Sequence, residues 1–285
     1  MAGWIQPGDT KQDTVPTTPV APTTPTPTLA KEVKPEVKEV VKASSNAFDF
    51  SEETDAGKEI YTFFGLKGSG KTTNALSLPG KILAVSFDKK TTIIKNNMFD
   101  NDERIKVFDA MKYFDEDDIL KSSEKTFDYI LALIEKVSKE FKPDYILFDC
   151  AEHLTVVCEM VMRLRNNITA YGGISNQNIW KLRKSLLAKM YNVALTNSNK
   201  GLIYTLYTSK DEIINEGTLV SKSDVPKWTG IIATHTDFVL RTKIIYDKEK
   251  GKTCFVEVVS SKNDKKLKTG SIINTTDFKN KLINV

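Results

Sequence analysis

The stretch EIYTFFGLKGSGKTT, Glu59–Thr73, joins an apolar, aromatic-rich run to a glycine-punctuated loop and the start of a helix. Its second part, Gly65–Thr73, fits G-x-x-x-x-G-K-[ST] without a mismatch, and the strand–loop–helix setting is the one a phosphate-binding loop requires. EIYTFF reads as a buried strand; TTNALSL continues as a helix that Pro79-Gly80 stops. Gly65, Gly68 and Gly70 allow a tight curl, so that successive N–H groups, including those of Leu66, Lys67, Ser69 and Thr73, line an anion cradle. The helix N-terminus adds partial positive charge. In this pattern Lys71 reaches the β and γ phosphates of a nucleoside triphosphate, and the Thr72 hydroxyl ligates Mg2+.

Working outward, the first fifty or so residues have another texture. Seven of the ten prolines fall between Pro7 and Pro35, in runs such as VPTTPVAPTTPTPT. So much proline and so little apolar bulk predicts an extended tail over residues 1–47, leaving 48–285 as one domain. Trp4 and Ile5 stand before the low-complexity run, either as a stray apolar pair or as a short motif docking a protein partner. The chain has 285 residues and a net charge of +4, which permits a nucleic-acid partner without requiring one. Its three cysteines form no C-x-x-C pair, so disulfides and structural zinc are not expected. No apolar run reaches membrane-span length, and the N-terminus lacks a signal-peptide core; the expected compartment is the cytoplasm, with no membrane partner.

Beyond the loop, KILAVSF (Lys81–Phe87), RIKVFDA (Arg104–Ala110), DYILFD (Asp144–Asp149) and GLIYTLYTS (Gly201–Ser209) read as strands. Asp117–Phe141 carries Phe127, Ile130, Leu131 and Ile134 at helical spacing, ended by Pro143. Two more helical stretches, 151–167 and 176–197, flank Gly172-Gly173. From residue 213 onward the pattern is hairpin-like, with turns at Glu216-Gly217 and Lys250-Gly251. The expected fold is α/β: a mostly parallel sheet flanked by helices with a C-terminal antiparallel β extension.

YILFD supplies the other half of a nucleotide site, because Asp149 at a strand's C-terminal end can hold Mg2+ through water beside Thr72. Glu152 either polarises an attacking water or is an acid favoured in a helix's first turn. No D-x-x-G accompanies Asp149, as a guanine-nucleotide switch would need, although Ser261-Lys262-Asn263-Asp264 approximates the guanine-reading N-K-x-D. Arg163 and Arg165 are the nearest candidates for a kinase lid and otherwise belong to a helix surface.

GLKGSGKTT, VSFDKK, YILFDCAEHL, GLIYTLYTSKDE and VVSSKNDKK, taken in order, resemble RecA-like P-loop ATPases over roughly Ile60–Gly270. The likeness is greatest to the short nucleotide-binding proteins of phages and archaeal viruses, some of them single-strand annealing or recombination ATPases. The resemblance implies ATP and Mg2+ as ligands and hydrolysis at the interface of a ring or filament of identical subunits. It places the catalytic carboxylate on Asp88, in a strand end lacking the family's glutamate. A γ-phosphate sensor would fall on Thr205, Tyr207 or Thr208, and the basic residues reaching a neighbour's nucleotide on Lys262 and Lys265. It further implies single-stranded DNA as a partner, through Asn166–Gln177 with Asn167 and Tyr171, the hairpin Lys210–Lys227, and Lys181, Arg183 and Lys184 beside Trp180. Trp180 otherwise belongs to the core, and Lys262 and Lys265 to a solvated turn. A packaging or segregation motor, a guanine-nucleotide switch, and a nucleotide-binding assembly protein are the competing classes.

Overall fold

The computed structural model describes residues 57–215, 218–247 and 251–278, without the side chains of 211–222 and 247–252. The expected tail, the docking pair Trp4-Ile5, the turn at Glu216-Gly217 and the Lys250 half of the turn at Lys250-Gly251 lie outside the described residues; Gly251 itself opens a strand. Among the described residues nine strands form one mixed sheet: β1 (Glu59–Gly65), β2 (Ile82–Ser86), β3 (Ile105–Asp109), β4 (Tyr145–Asp149), β5 (Gly201–Asn215), β6 (Thr218–Pro226), β7 (Phe238–Asp247), β8 (Gly251–Ser261) and β9 (Ile272–Asn274). The order is β3-β2-β4-β5-β1-β7-β8-β9, with β6 paired to β5 alone. The first six strands of that order, β3 to β7, run parallel; β8, β9 and β6 are antiparallel additions. The fold class expected from sequence is thus observed, at the level of a mostly parallel α/β sheet with a C-terminal antiparallel extension.

Alternation along the central strands builds two cores, one on each face. Ile60, Phe64, Leu83, Val85, Ile146, Phe148, Leu202 and Tyr204 point to the face covered by α3 (Ile119–Phe141), α4 (Glu152–Arg165) and α5 (Trp180–Thr196). Tyr61, Phe63, Ile82, Ala84, Leu147, Ile203 and Leu240 point the other way, against α1 (Lys71–Leu76), Leu267 and Phe278. Strands buried on both faces read as unbroken apolar runs, which is why YILF and ILAV were legible as strands. No described helix is long and apolar enough to cross a membrane.

Three elements depart from the sequence reading. Residues 91–98 (TTIIKNNM) form α2, although the segment shows little helical periodicity; its polar face stays in water. β5 runs six residues past the expected Ser209, to Asn215, and pairs with β6 from Thr208 to Asn215. A short α6 (Gly230–His235) follows β6.

The registers place these overruns. β1 ends at Gly65, opposite Tyr207 of β5, while Phe64 lies opposite Arg241 of β7. Both neighbours of β1 continue past it as antiparallel ribbons, β5 with β6 and β7 with β8, so the phosphate loop emerges between two projecting hairpins. Arg241 joins them through Glu257 on β8 (2.6 Å) and Asp224 on β6 (3.4 Å).

At the opposite end of the sheet, Gly201 starts β5 between Glu59 and Tyr145, with φ of 137°. A Cβ there would stand 1.9 Å from the Glu59 carbonyl oxygen, so an alanine must force β1 and β5 apart. Overpacking of this kind costs about 1–3 kcal/mol, and each kcal/mol lowers the melting point of a domain this size by about 2–4 °C. Gly201→Ala should therefore melt several degrees below the parent by calorimetry; an unchanged midpoint would contradict the register described.

Candidate functional site

The phosphate loop is built from a strand that ends, a glycine-permitted curl and a helix that begins. Gly70, the residue before α1, has φ of 89°, a left-handed conformation that disfavours side chains. Gly65 is required by close approach instead, since a Cβ would meet Thr242 backbone and side-chain oxygens at 2.5 and 2.6 Å. Ser69 and Thr242 share a hydroxyl–hydroxyl bond of 2.6 Å, fastening the loop to β7.

Among the described residues, the amides of Gly68, Gly70, Lys71, Thr72 and Thr73 donate to no protein acceptor, whereas the Ser69 amide closes a turn on Leu66. The first turn of any helix leaves such donors open, and here the preceding loop adds to them. They surround Lys71, whose ammonium is buried and donates to the carbonyls of Gly65 (3.0 Å) and Leu66 (2.9 Å). The same ammonium lies 4.6 Å from the centre of the Tyr207 ring. Burial lowers the Lys71 pKa, so any anion placed among these amides gains both a partner and a charge that lacks full hydration.

Asp149 closes the site from β4. Its carboxylate is wholly buried and accepts hydrogen bonds from Thr72 (2.9 Å), Thr91 (2.6 Å) and Thr205 (2.5 Å). Burial raises its pKa and the three hydroxyls oppose that rise. The Thr72–Asp149 contact is the pairing a magnesium site of this type needs: one direct hydroxyl ligand and one carboxylate held just behind it. Among the described residues there is no cluster of three or more acidic, histidine or cysteine ligands. A Thr-plus-Asp site filled out by phosphate and water needs none.

The cavity beside the loop, about 320 Å3, is lined by Lys67, Gly68, Gly70, Lys71, Thr72, Thr73, Asp88, Lys90, Ile94, Cys150 and Tyr207. The structure therefore brings Asp88 to the phosphate loop, where its Oδ1 accepts from the Lys90 amide. Cys150 occupies a left-handed conformation (φ 62°), the sharp turn that carries the chain from β4 into α4. Burial pushes its thiol up to about 12. Burial, aided by Cys150, also pushes the Tyr207 phenol up to about 12.

Glu152 stands elsewhere. It opens α4, accepts the Tyr207 amide on Oε1 and lines a separate cavity behind Tyr207; the phosphate-loop cavity does not include it. Of the three sensor positions, Thr205 is fully committed, donating to Asp149 and accepting from the Cys150 amide (2.8 Å), and Tyr207 alone lines the loop cavity.

Lys262 lies at the far end of the sheet. Ser261 pairs with Phe238 and Phe238 with Tyr61, four residues (about 13 Å of strand) from the end of β1. The Lys262 ammonium pairs with Asp237 (2.7 Å), and the Asp264 carboxylate is held by the backbone and side chain of Thr269. Arg163 is fixed by Glu159 (2.9 Å) and the Gly172 carbonyl (2.7 Å), and Arg165 by Glu124 (2.9 Å). These are structural contacts, in keeping with the surface reading of that helix. Trp180 packs against the α-helical core and Arg183 stacks on it at 4.3 Å while pairing with Glu159 (3.2 Å). Lys181, Lys184 and Tyr171 are exposed.

Sequence reasoning missed Thr91, Thr205 in its Asp149-holding role, and Thr242. Isolated threonines carry no periodic or motif signal, and only the register of four strands brings them together. No family model matches the chain, and no curated protein matches its sequence.

Because burial raises the Asp149 pKa, the unfolded chain releases this proton at lower pH than the folded one. Rising pH through that interval therefore favours unfolding. Asp149→Asn removes the buried charge; its amide oxygen still accepts from Thr72 and Thr205, and its amide nitrogen donates to the Thr91 oxygen, whose own proton can turn to Ser86. In chelator-treated protein it should melt above the parent, by a margin that grows as pH is raised from acid to neutral. A variant that melts below the parent at neutral pH would refute this account of the site.

Proposed function

We propose that the chain is a Mg2+-dependent nucleoside triphosphatase of RecA-like type, most consistent with ATP as substrate. The single observation that supports it best is the set of open amides at Gly68 and Gly70–Thr73 around the buried Lys71 ammonium, with Thr72 bonded to Asp149 alongside.

In this reading the loop amides and Lys71 bind the β and γ phosphates, and their charge becomes most favourable as negative charge grows toward the transition state. Mg2+ held by Thr72 and, through water, by Asp149 would neutralise the phosphate oxygens. Asp88, across the cavity from the loop, is the carboxylate placed to orient an attacking water. Tyr207 packs the Lys71 ammonium from the side and keeps water from that flank.

The position of Ser261–Asp264 argues against a guanine-nucleotide switch. A base whose phosphates sit at Gly65–Thr73 lies at the other end of the sheet from Lys262, and Asp264 is already used by Thr269. The same position leaves Lys262 available only to a neighbouring subunit, in accord with a ring or filament whose ATP sites are completed in trans. Asp237 is mostly buried and also accepts the Ile60 amide, but the Lys262 side chain is itself largely exposed, so the lysine can be exchanged from Asp237 to a phosphate.

Single-stranded DNA is the partner that fits this class of reading. The exposed Lys181 and Lys184 and the exposed Tyr171 offer backbone charge and a stacking face on the helical side of the molecule. Arg183 does not join them, because Glu159 and Trp180 hold it.

Lys71→Ala should abolish turnover and weaken ATP binding, and Asp88→Asn should lower turnover at least a hundredfold while leaving binding within a few fold. Titration of ATP and GTP should show no strong preference for GTP. Full turnover in Lys71→Ala, or far tighter binding of GTP, would defeat the reading. Lys262→Ala should keep nucleotide affinity in the isolated subunit and lose hydrolysis in the assembled one, read by turnover against protein concentration.

A further inference from the structure

The segment leaving β2 forms one wall of the phosphate-loop cavity, and its turn separates two adjacent lysines. Asp88 Oδ1 accepts the Lys90 amide (3.0 Å), and Lys89 between them has φ of 61°, a left-handed conformation uncommon for a long side chain. The turn sends the neighbours to different places. Lys89 pairs with Asp109 on β3 (3.7 Å) and lines a separate cavity beside Phe87 and His153. Lys90 lines the phosphate-loop cavity, and among the described residues it has no carboxylate partner. Its backbone is fixed on the other side too, because the Thr91 hydroxyl is bonded to Asp149 (2.6 Å) and to Ser86 (2.7 Å). The root of Lys90 is therefore held while its ammonium is exposed and unpaired.

The same wall carries a helix start. Among the described residues the amides of Thr91, Thr92 and Ile93 donate to no protein acceptor, and the first bond of α2 runs from the Ile94 amide to the Lys90 carbonyl (3.0 Å). Ile94 lines the cavity, so the positive end of α2 borders it as that of α1 does. One group on this wall opposes an anion: Asp88 carries the same sign of charge as a phosphate. Of the three lysines that line the cavity, Lys67 and Lys71 belong to the loop, and Lys90 alone shares the Asp88 wall.

Position decides which phosphate Lys90 meets. In-line attack puts the incoming water on the far side of the γ phosphorus from the leaving oxygen. A cation beside the carboxylate that orients this water stands next to the γ oxygens rather than the α or β ones.

We propose that Lys90 is the cation that reads the γ phosphate and so discriminates a nucleoside triphosphate from its diphosphate, an assignment that rests on the phosphate-loop reading above. The ammonium offsets the repulsion between Asp88 and the γ oxygens, which lets a carboxylate approach the reacting group. The contact lies within one subunit, whereas Lys262 can act only from a neighbour. Recognition of the triphosphate therefore precedes assembly.

Calorimetric titrations of the full chain with Mg2+ compare ADP with the β,γ-imido analogue of ATP. The proteins are the parent, Lys90→Gln, Lys90→Arg, Lys89→Asn and Lys71→Ala. Lys90→Gln should weaken the analogue about tenfold and ADP about twofold or less, the size expected for one charge-assisted contact. Lys90→Arg should recover most of that loss. Lys89→Asn removes the adjacent charge with a residue that tolerates the left-handed turn, and it should leave the ratio of the two affinities unchanged. Lys90 is exposed, so its variants should keep the parent's melting midpoint. Equal weakening of both ligands in Lys90→Gln, no weakening of either, a loss that Lys90→Arg shares in full, or the same loss in Lys89→Asn overturns the proposal. If neither ligand binds the parent, or both bind Lys71→Ala as tightly as the parent, the phosphate-loop reading itself fails and the Lys90 assignment falls with it.

Discussion

A single buried carboxylate organises the working end of this sheet. Asp149 receives hydroxyls from the first turn of α1, the first residue of α2 and the middle of β5, so three separate segments converge on one side chain. Hydrogen bonds to a charged acceptor contribute about 1.5–3 kcal/mol each, and together they offset part of the cost of removing the carboxylate from water. The strand order prepares the convergence: β4 lies between β2 and β5, so Thr91, just after β2, and Thr205, within β5, reach Asp149 from its two sides. Loosen Asp149, and Thr72 no longer faces a fixed negative charge beside the phosphate loop.

Much of this was legible before any coordinates. The glycine-lysine-threonine loop announced itself because its chemistry depends on residue types at fixed spacing. The strands around it were equally plain, since burial on both faces leaves unbroken apolar runs such as Ile82–Val85 and Tyr145–Phe148. Asp149 was suggested by its place at the end of such a run, whereas Asp88 came from the resemblance to RecA-like ATPases.

What escaped had no local signature. Thr91 and Thr205 look like any strand-end or helix-start threonine, and only the pairing of β2, β4 and β5 brings their hydroxyls within reach of one carboxylate. α2 was missed because its residues carry more polarity than periodicity. Glu152 illustrates the opposite case: its type and position invited a catalytic role, yet the Tyr207 amide turns it toward the neighbouring cavity. For Lys262 the deciding fact was register. Strand β8 runs antiparallel to β7, so its basic end falls at the end of the sheet away from Gly65–Thr73.

The two ribbons that overrun β1 have a mechanical consequence. Backbone extending about 3.3 Å per residue carries β5 roughly 26 Å beyond Tyr207 and β7 roughly 20 Å beyond Arg241. Each is a two-stranded arm rooted beside the phosphate loop, one at Tyr207 and the other at Thr242, and the Arg241 guanidinium couples the pair near their bases. Torque applied at either tip is delivered, with the gearing of a long arm on a short one, to the few ångströms of backbone around Lys71.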